Sequence, residues 1–284
     1  MSVFKWTYTS SQVKKIKRSR LVNNLQEIID VGFSENENNA RNVFEGCLEK
    51  IKADKGHEVY RWDLNKKTYF IKKYADKNWK RRLRNIFRQA EARRVVGVMK
   101  NLDEIGVDAL PVIFAGEFSE NIFLKKSLTV SASVSGTDLE FFFNNVEDFE
   151  RRGKVIDLLA ENYARMLDNK FVNGDPSLSN FFLTDNSESR DLVLIDLDNV
   201  KKYPVLPAYF MKKNLSKLIA IIYARETKME YEEKLKLLKK ILNRLYDDPY
   251  CLIEDIMAQV CSRLKKWELH HLIDKNSNLH SFKE

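Results

Sequence analysis

The stretch 170–200, KFVNGDPSLSNFFLTDNSESRDLVLIDLDNV, concentrates the residue types that can do chemistry. Asp175 follows Gly174, Asn180 lies five positions on, and Asp196 closes the apolar run 192–195. One carboxylate can orient and deprotonate an attacking hydroxyl, while another binds a cation that bridges nucleotide phosphates. A carboxamide can complete the shell of that cation, since magnesium takes hard oxygen ligands and few of them from the protein. Asp and Asn are also ordinary turn residues, and any one of these read alone is a turn residue. The joint order is more demanding: helix, apolar pair, Gly-Asp, Asn, apolar strand, polar turn, apolar strand, Asp. That order matches a kinase catalytic loop followed by its metal loop. It makes Asp175 the candidate base and Asn180 and Asp196 the candidate magnesium ligands, with Asp198 a weaker one.

Such a loop needs elements to position it. A helix is expected over 151–168, with Val155, Ile156, Leu159, Tyr163, Met166 and Leu167 on one face. Phe171 and Val172 anchor the loop in the core, Gly174 is expected to allow an unusual backbone angle, and Pro176 stiffens the exit. NFFLT and LVLID are expected to pair as a short hairpin around DNSESRD.

Phosphoryl transfer also needs a cation on the donor phosphates, held by a carboxylate. The run TYFIKKYA offers Lys72 and Lys73. Alternation sets Tyr69, Ile71 and Lys73 on one face and Phe70 and Lys72 on the other. Lys72, directly after the apolar run, is favoured; the competing reading is an exposed strand lysine. A helix expected from Lys80 to Ile105, stopped by Gly106, offers Glu91 on its apolar stripe. Glu91 either partners Lys72 or sits on the edge of the stripe and pairs with Arg88 or Arg94. Only Gly56 marks a loop near 52–57 that would grip phosphate.

Around these lies a coarse architecture. Residues 57–75 read as an antiparallel hairpin about Asn65-Lys66, and ALPVIFAGEF and NIFLKKSLTV as two further strands. The chain is expected to be α+β and two-lobed like a protein kinase. A small antiparallel β lobe with one long helix (51–130) follows a basic, helical extension (1–50). A hinge (131–136) then leads to a larger, mainly helical lobe (137–284).

Hydrophobic residues make 44% of the 284 and charged residues 32%, which excludes a disordered or fibrous chain. Lys and Arg outnumber Asp and Glu by 49 to 41, so anionic company is expected. The three cysteines form no CxxC pair and the four histidines are scattered, which argues against a disulfide framework or a zinc site. The opening residues lack the apolar core of a signal peptide, and no apolar run is long enough to span a bilayer. A soluble, cytoplasmic protein is expected. No nucleic-acid motif accompanies the positive charge.

FVNGDPSLSNFFL with LVLIDLDNVKK resembles the catalytic and metal loops of the lipopolysaccharide core kinases, the heptose and Kdo kinases of Gram-negative bacteria. KTYFIKKYADKNWKRRLRN is similar to their lysine strand and the basic segment after it, MKNLDEIGVDALP to the end of their first-lobe helix, and KKNLSKLIAIIYA to a later helix. The likeness runs from about 55 to 225. It implies ATP as donor, magnesium, and a sugar hydroxyl of the lipopolysaccharide inner core as acceptor. Peripheral contact with an anionic membrane surface follows, through KKIKRSR, KNWKRRLRNIFR and RLKKWELHHLIDK. It also implies the roles already given to Asp175, Asn180, Asp196 and Lys72. The family's helix glutamate falls at Val95, one turn past Glu91. Asn173 stands where many relatives have His, Gly174 where some have Arg, and Asn214 replaces the Asp of a usual KDL. An aminoglycoside- or choline-type phosphotransferase would share the same loops but favours acidic acceptor pockets. A pseudokinase that binds without turnover is the remaining alternative, suggested by the missing Gly-rich loop.

Overall fold

The structure is a computed structural model that describes residues 4–9, 47–54, 57–64, 66–75, 89–121, 124–184, 192–225 and 227–269. The chain forms two compact units, Met1–Lys100 with Leu110–Val134, and Asn101–Ala109 with Ser135–Glu284. The division after Val134 falls inside the segment 131–136. The short piece 101–109 joins the second unit, although the sequence pattern assigned it to the first lobe.

The first unit is built on a six-stranded antiparallel sheet. Its strands are β1 (Phe4–Thr9), β2 (Cys47–Asp54), β3 (His57–Leu64), β4 (Lys67–Ala75), β5 (Val112–Asn121) and β6 (Leu124–Ala132), in the order β1-β5-β6-β4-β3-β2. β3 and β4 form the expected hairpin, with Leu64 opposite Lys67 and Lys66 in the left-handed region. β1 departs from expectation. Residues 1–50 were read as a helical extension, yet FKWTYT is an edge strand paired to β5. Its aromatics and threonines are strand formers, and the basic run that follows masks them in a broad reading. The remainder of that extension, 10–46, lies outside the described residues.

Helix α1 spans Glu91–Glu104. Residues 80–88 of the expected helix lie outside the described residues. The stop at Gly106 is as the sequence predicts. Gly106 has a φ of 67°, its N–H reaches Asp103 O at 2.9 Å, and Val107 N reaches Leu102 O at 2.9 Å. This is the two-bond closure that a left-handed glycine allows.

The second unit is mostly helical. α2 (Leu139–Asn145) and α3 (Phe149–Asp168) are each opened by an aspartate cap, Asp138 and Asp148. α3 buries all six residues named from its periodicity, each such side chain contributing about 1.5–3 kcal/mol. α4 (Ala208–Ala224), α5 (Tyr231–Leu245) and α6 (Tyr250–Lys266) follow, with α3 against α5 and α4 against α6. Buried Arg152 clamps this arrangement. Its Nε and Nη2 donate to Glu233 at 2.7 and 2.6 Å, and its remaining donors reach the carbonyls of Phe143, Val146 and Lys228. Every donor of the guanidinium is thus satisfied, which its burial requires.

Between the helices run short strands: β7 (Gly136–Asp138), β8 (Phe171–Asn173), β9 (Phe181–Thr184), β10 (Leu192–Leu194) and β11 (Val200–Lys202). β9 pairs with β10 and β7, and β8 with β11, all antiparallel. Leu194 N also donates to Asp108 O at 2.9 Å, which fastens 101–109 into this unit. No helix of the described residues is long and apolar enough to cross a membrane.

Candidate active site

α3 ends at Asn169, and Lys170 turns the chain through the left-handed region into β8. Residues 174–177 then carry Asp175 to the short 3₁₀ turn Leu178–Asn180, from which β9 departs. The hairpin β9–β10 returns the chain, so that Ile195 N donates to the Asn180 carbonyl at 2.8 Å. Asp196 is the next residue. The Asn180 side chain faces the other way along the loop, its Nδ2 donating to the Asp175 carbonyl at 2.9 Å. Asn180 therefore ties Asp175 to the strand end that bears Asp196, and the structure brings these three residues together.

Each of the three has a distinct setting. Asp175 is half-buried, and among the described residues its carboxylate makes no hydrogen bond or ion pair. Asn180 commits its nitrogen to a carbonyl, which leaves Oδ1 as the atom of this side chain with the chemistry to meet a cation. Asp196 adopts φ 53° and ψ 67°, a left-handed conformation that aspartate tolerates at modest cost. Strained backbone of this kind gathers at functional sites. Its carboxylate does not cap the 3₁₀ turn Leu197–Asn199 that follows, a turn that includes Asp198. Oxygen donors, few in number, suit magnesium. Among the described residues no group of three or more His, Cys, Asp or Glu is placed to hold a metal.

Gly174 is favoured for a reason other than the expected one. Its φ is not in the left-handed region. Instead its N–H donates to Asn199 O at 2.8 Å, and a Cβ would lie 3.0 Å from that same oxygen. Close approach of β8's exit to the 3₁₀ turn after Asp196 selects glycine.

Beneath the loop lies a buried chain of polar groups that the sequence did not announce. Tyr163 Oη donates to Asn214 Oδ1 at 2.5 Å, and Asn214 Nδ2 donates to Asn173 O at 2.7 Å. Asn173 Oδ1 in turn accepts from Asp175 N at 2.9 Å. Exposure is 1% for Tyr163, 6% for Asn214 and 1% for Asn173. Burial pushes the Tyr163 phenol far above its ordinary range, so it stays a donor. Within this polar network Asn173 Nδ2 is buried without a hydrogen-bond partner among the described residues. Lys217, on α4, donates to the Gly174 carbonyl from the other side. Asn214 stands amid the apolar stripe Leu215, Leu218, Ile219 and Ile222, and an amide on such a stripe is the signal that could have revealed it.

In the first unit the two lysines of β4 divide as the alternation predicts. Lys73 is buried, 3.4 Å from Glu58, beneath the ring of Tyr60. Burial pushes the Lys73 amine below its ordinary value, and Glu58 offsets this only in part. Burial would raise Glu58, but Lys73, the Tyr60 hydroxyl and Lys50 outweigh it and hold the carboxyl below the usual value. Lys72 lies on the opposite face, half-buried, opposite Thr129 and with its Nζ 5.9 Å from the Tyr74 ring centroid. That face carries the buried hydroxyls of Ser127, Thr129 and Ser131, and α1 is seated there through Ala92 N donating to Ser127 Oγ at 3.3 Å. Glu91, the first residue of α1, forms an ion pair with Arg94. β2 and β3 meet with Asp54 opposite His57; Gly56 and its turn lie outside the described residues.

A solved structure described as "WaaP in complex with acyl carrier protein" is similar over 90% of this chain and 98% of that one, with a TM-score of 0.63 at 14% sequence identity. The chain belongs to the Lipopolysaccharide kinase (Kdo/WaaP) family, whose pattern matches residues 49–237. It is accordingly an ATP-dependent phosphotransferase that acts on a sugar hydroxyl of the lipopolysaccharide core. No curated protein matches the chain.

Proposed function

We propose that the chain phosphorylates a heptose or Kdo hydroxyl of the lipopolysaccharide inner core at the site formed by Asp175, Asn180 and Asp196. The observation that carries this is the double use of Asn180, whose side chain binds the Asp175 backbone and whose carbonyl binds Ile195 N. Through it the candidate base and the candidate metal ligand keep a fixed relation. Asp175 orients the acceptor hydroxyl and takes its proton as the new oxygen–phosphorus bond forms and the bond from the γ-phosphorus to the departing ADP breaks. Magnesium, when bound, neutralises the charge of the donor phosphates. The Asp196 carboxylate and Asn180 Oδ1 would hold it.

Lys72 is the cation for the donor phosphates. Its support is the division of labour on β4: Lys73 is already spent on Glu58 in a buried pair, whereas Lys72 stands on the hydroxyl-lined face that bears α1. Glu91 is held by Arg94 and carries no part of this argument. The two units serve as the lobes of a kinase, with 131–136 as the connection. The protein works in the cytoplasm at the inner membrane, where an anionic core glycolipid would meet it.

The test uses purified full-length chain, ATP, magnesium and core lipopolysaccharide from a strain that lacks core phosphate. Mass spectrometry of the released oligosaccharide is expected to show one added phosphate, and fragmentation places it on heptose or Kdo. Asp175→Asn is expected to slow transfer about 10²–10⁴-fold while magnesium-nucleotide still raises the melting temperature. An unchanged rate in this variant would remove Asp175 as the base. Transfer to an aminoglycoside but not to core sugar would overturn the acceptor.

A further inference from the structure

The chain between the metal-ligand candidate and the middle of α4, residues 200–217 (VKKYPVLPAYFMKKNLSK), contains five lysines and no acidic residue. The whole molecule has a net charge of +8, so this short piece supplies a disproportionate part of it. The same piece also exposes large apolar side chains. Val205 is 71% exposed, Tyr209 60% and Phe210 45%. Tyr203 stacks on Phe210 with centroids 6.2 Å apart, and Tyr209 meets Phe210 edge-on at 5.7 Å. The rings therefore form one cluster. Lys213 holds its Nζ 5.9 Å from the Tyr209 ring.

A soluble protein gains nothing by holding a clustered Tyr-Phe pair and a valine in water. Aromatic rings beside lysines are the composition of a surface that enters the headgroup layer of a bilayer. Tyr and Phe bury in the interface there, and lysine amines meet anionic phosphates. The backbone is suited to this use. Pro204 and Pro207 bracket a turn that needs no strand partner, and α4 begins directly after Pro207. α4 then buries Asn214, Leu215 and Ser216 within the unit while Tyr209, Phe210 and Lys213 stay outside.

We propose that Tyr203–Lys213 is a docking surface for an anionic phospholipid bilayer. It deepens the core-kinase reading, because the surface is built on the elements that hold the Asp175 loop. β11 ends at its start and pairs with β8, and α4 continues past it to Asn214 and Lys217, which bind the carbonyls of Asn173 and Gly174. A protein seated on the membrane by this surface keeps its catalytic loop at a fixed position relative to the lipid plane, where the acceptor of a membrane-bound glycolipid is presented.

The experiment is flotation of the full-length chain with vesicles of phosphatidylcholine alone and with a third of phosphatidylglycerol, at low and at high salt. It needs no nucleotide, acceptor or turnover, so its failure is distinct from failure of the kinase reading. The parent is expected to float with the anionic vesicles and to release at high salt. Tyr209→Ser with Phe210→Ser is expected to weaken partition about tenfold or more. Lys201→Gln with Lys202→Gln and Lys213→Gln should weaken it about fivefold per lysine, because each near-surface cation adds ~1 kcal/mol. Melting temperatures of both variants should match the parent, since the altered side chains are exposed. Partition equal to the parent in both variants overturns the proposal and leaves binding to other basic segments.

Discussion

The loop that carries Asp175 and the strand that carries Lys72 are held in place by different physics. The loop rests on neutral amides and a phenol, each bonded to a group 41 or 51 residues away in sequence or only two away. The strand rests on sheet register and one buried charge pair, Lys73 with Glu58. Amide bonds set position and direction together, because each has a donor end and an acceptor end. A charge pair sets proximity with little direction. The difference fits the two tasks proposed for them: a base must be aimed at one proton, whereas a cation on phosphates needs only to be near them.

The loop side of this contrast breaks most visibly at Asn214. Asn214→Leu removes an acceptor from Tyr163 Oη and a donor from Asn173 O, both fully buried. Two orphaned groups at roughly 1–3 kcal/mol each predict a loss of about 2–6 kcal/mol in urea unfolding. Turnover should fall further than global stability explains, because Asn173 also accepts from the Asp175 N–H. Asn214→Asp tests direction. It still accepts from the phenol but sets an acceptor against the Asn173 carbonyl, so it should also destabilise. If it matched the parent, hydrogen-bond direction would not be what the loop needs.

The strand side separates into two lysines one residue apart. Lys73→Met deprives Glu58 of its nearest cation and is expected to cost about 1–2 kcal/mol, less than a fully buried pair because Glu58 keeps 22% exposure and a second contact to Lys50 at 3.4 Å. Lys72→Met is expected to leave unfolding within about 0.5 kcal/mol and to abolish the rise in melting temperature given by magnesium-nucleotide. Thermal shift with and without nucleotide reads both. The reverse result, with nucleotide response lost only in Lys73→Met, would transfer the phosphate role to Lys73.

The same contrast accounts for what was legible in the sequence. Asp175, Asn180 and Asp196 lie in one short loop-hairpin unit whose apolar runs fix its register, so their meeting could be inferred. The helix face of α3, the β3–β4 hairpin and the Gly106 stop were legible because each is set by periodicity or backbone geometry within a few residues. The hydrogen bonds of Tyr163 and Asn214 were not, because a helical stripe can mark each residue as buried but cannot name partners 41 or 51 residues away. Gly174 is expected to allow an unusual backbone angle, whereas what favours it is the close approach of the Asn199 carbonyl, a contact no local pattern announces. The edge strand β1 was missed since its pairing with β5 spans more than a hundred residues. Lys72 and Lys73 could be placed on opposite faces by alternation, but not which face Glu58 would occupy.

A third cation extends the comparison to the helices. Lys234 on α5 is 7% exposed, with its Nζ 4.3 Å from the ring centroid of Tyr223. Burial pushes it down to about 8; Glu230 and Glu233 oppose that shift and Arg152 adds to it. Below pH 8 both folded and unfolded chains hold this proton, and the folded state bears the cost of the buried charge. Between pH 8 and the ordinary lysine value near 10.5 the unfolded chain binds more protons, so the contribution of Lys234 to stability rises with pH. One proton corresponds to 1.36 kcal/mol per pH unit, and the partial titration between pH 8 and 9 predicts a gain of about 1 kcal/mol. Lys234→Met should lose that rise, which appears in the difference between the two urea-stability curves over this interval. A difference curve that stays flat would mean that Tyr223 and the two glutamates hold Lys234 charged despite its burial, as direction-free electrostatics can do and a single amide bond cannot.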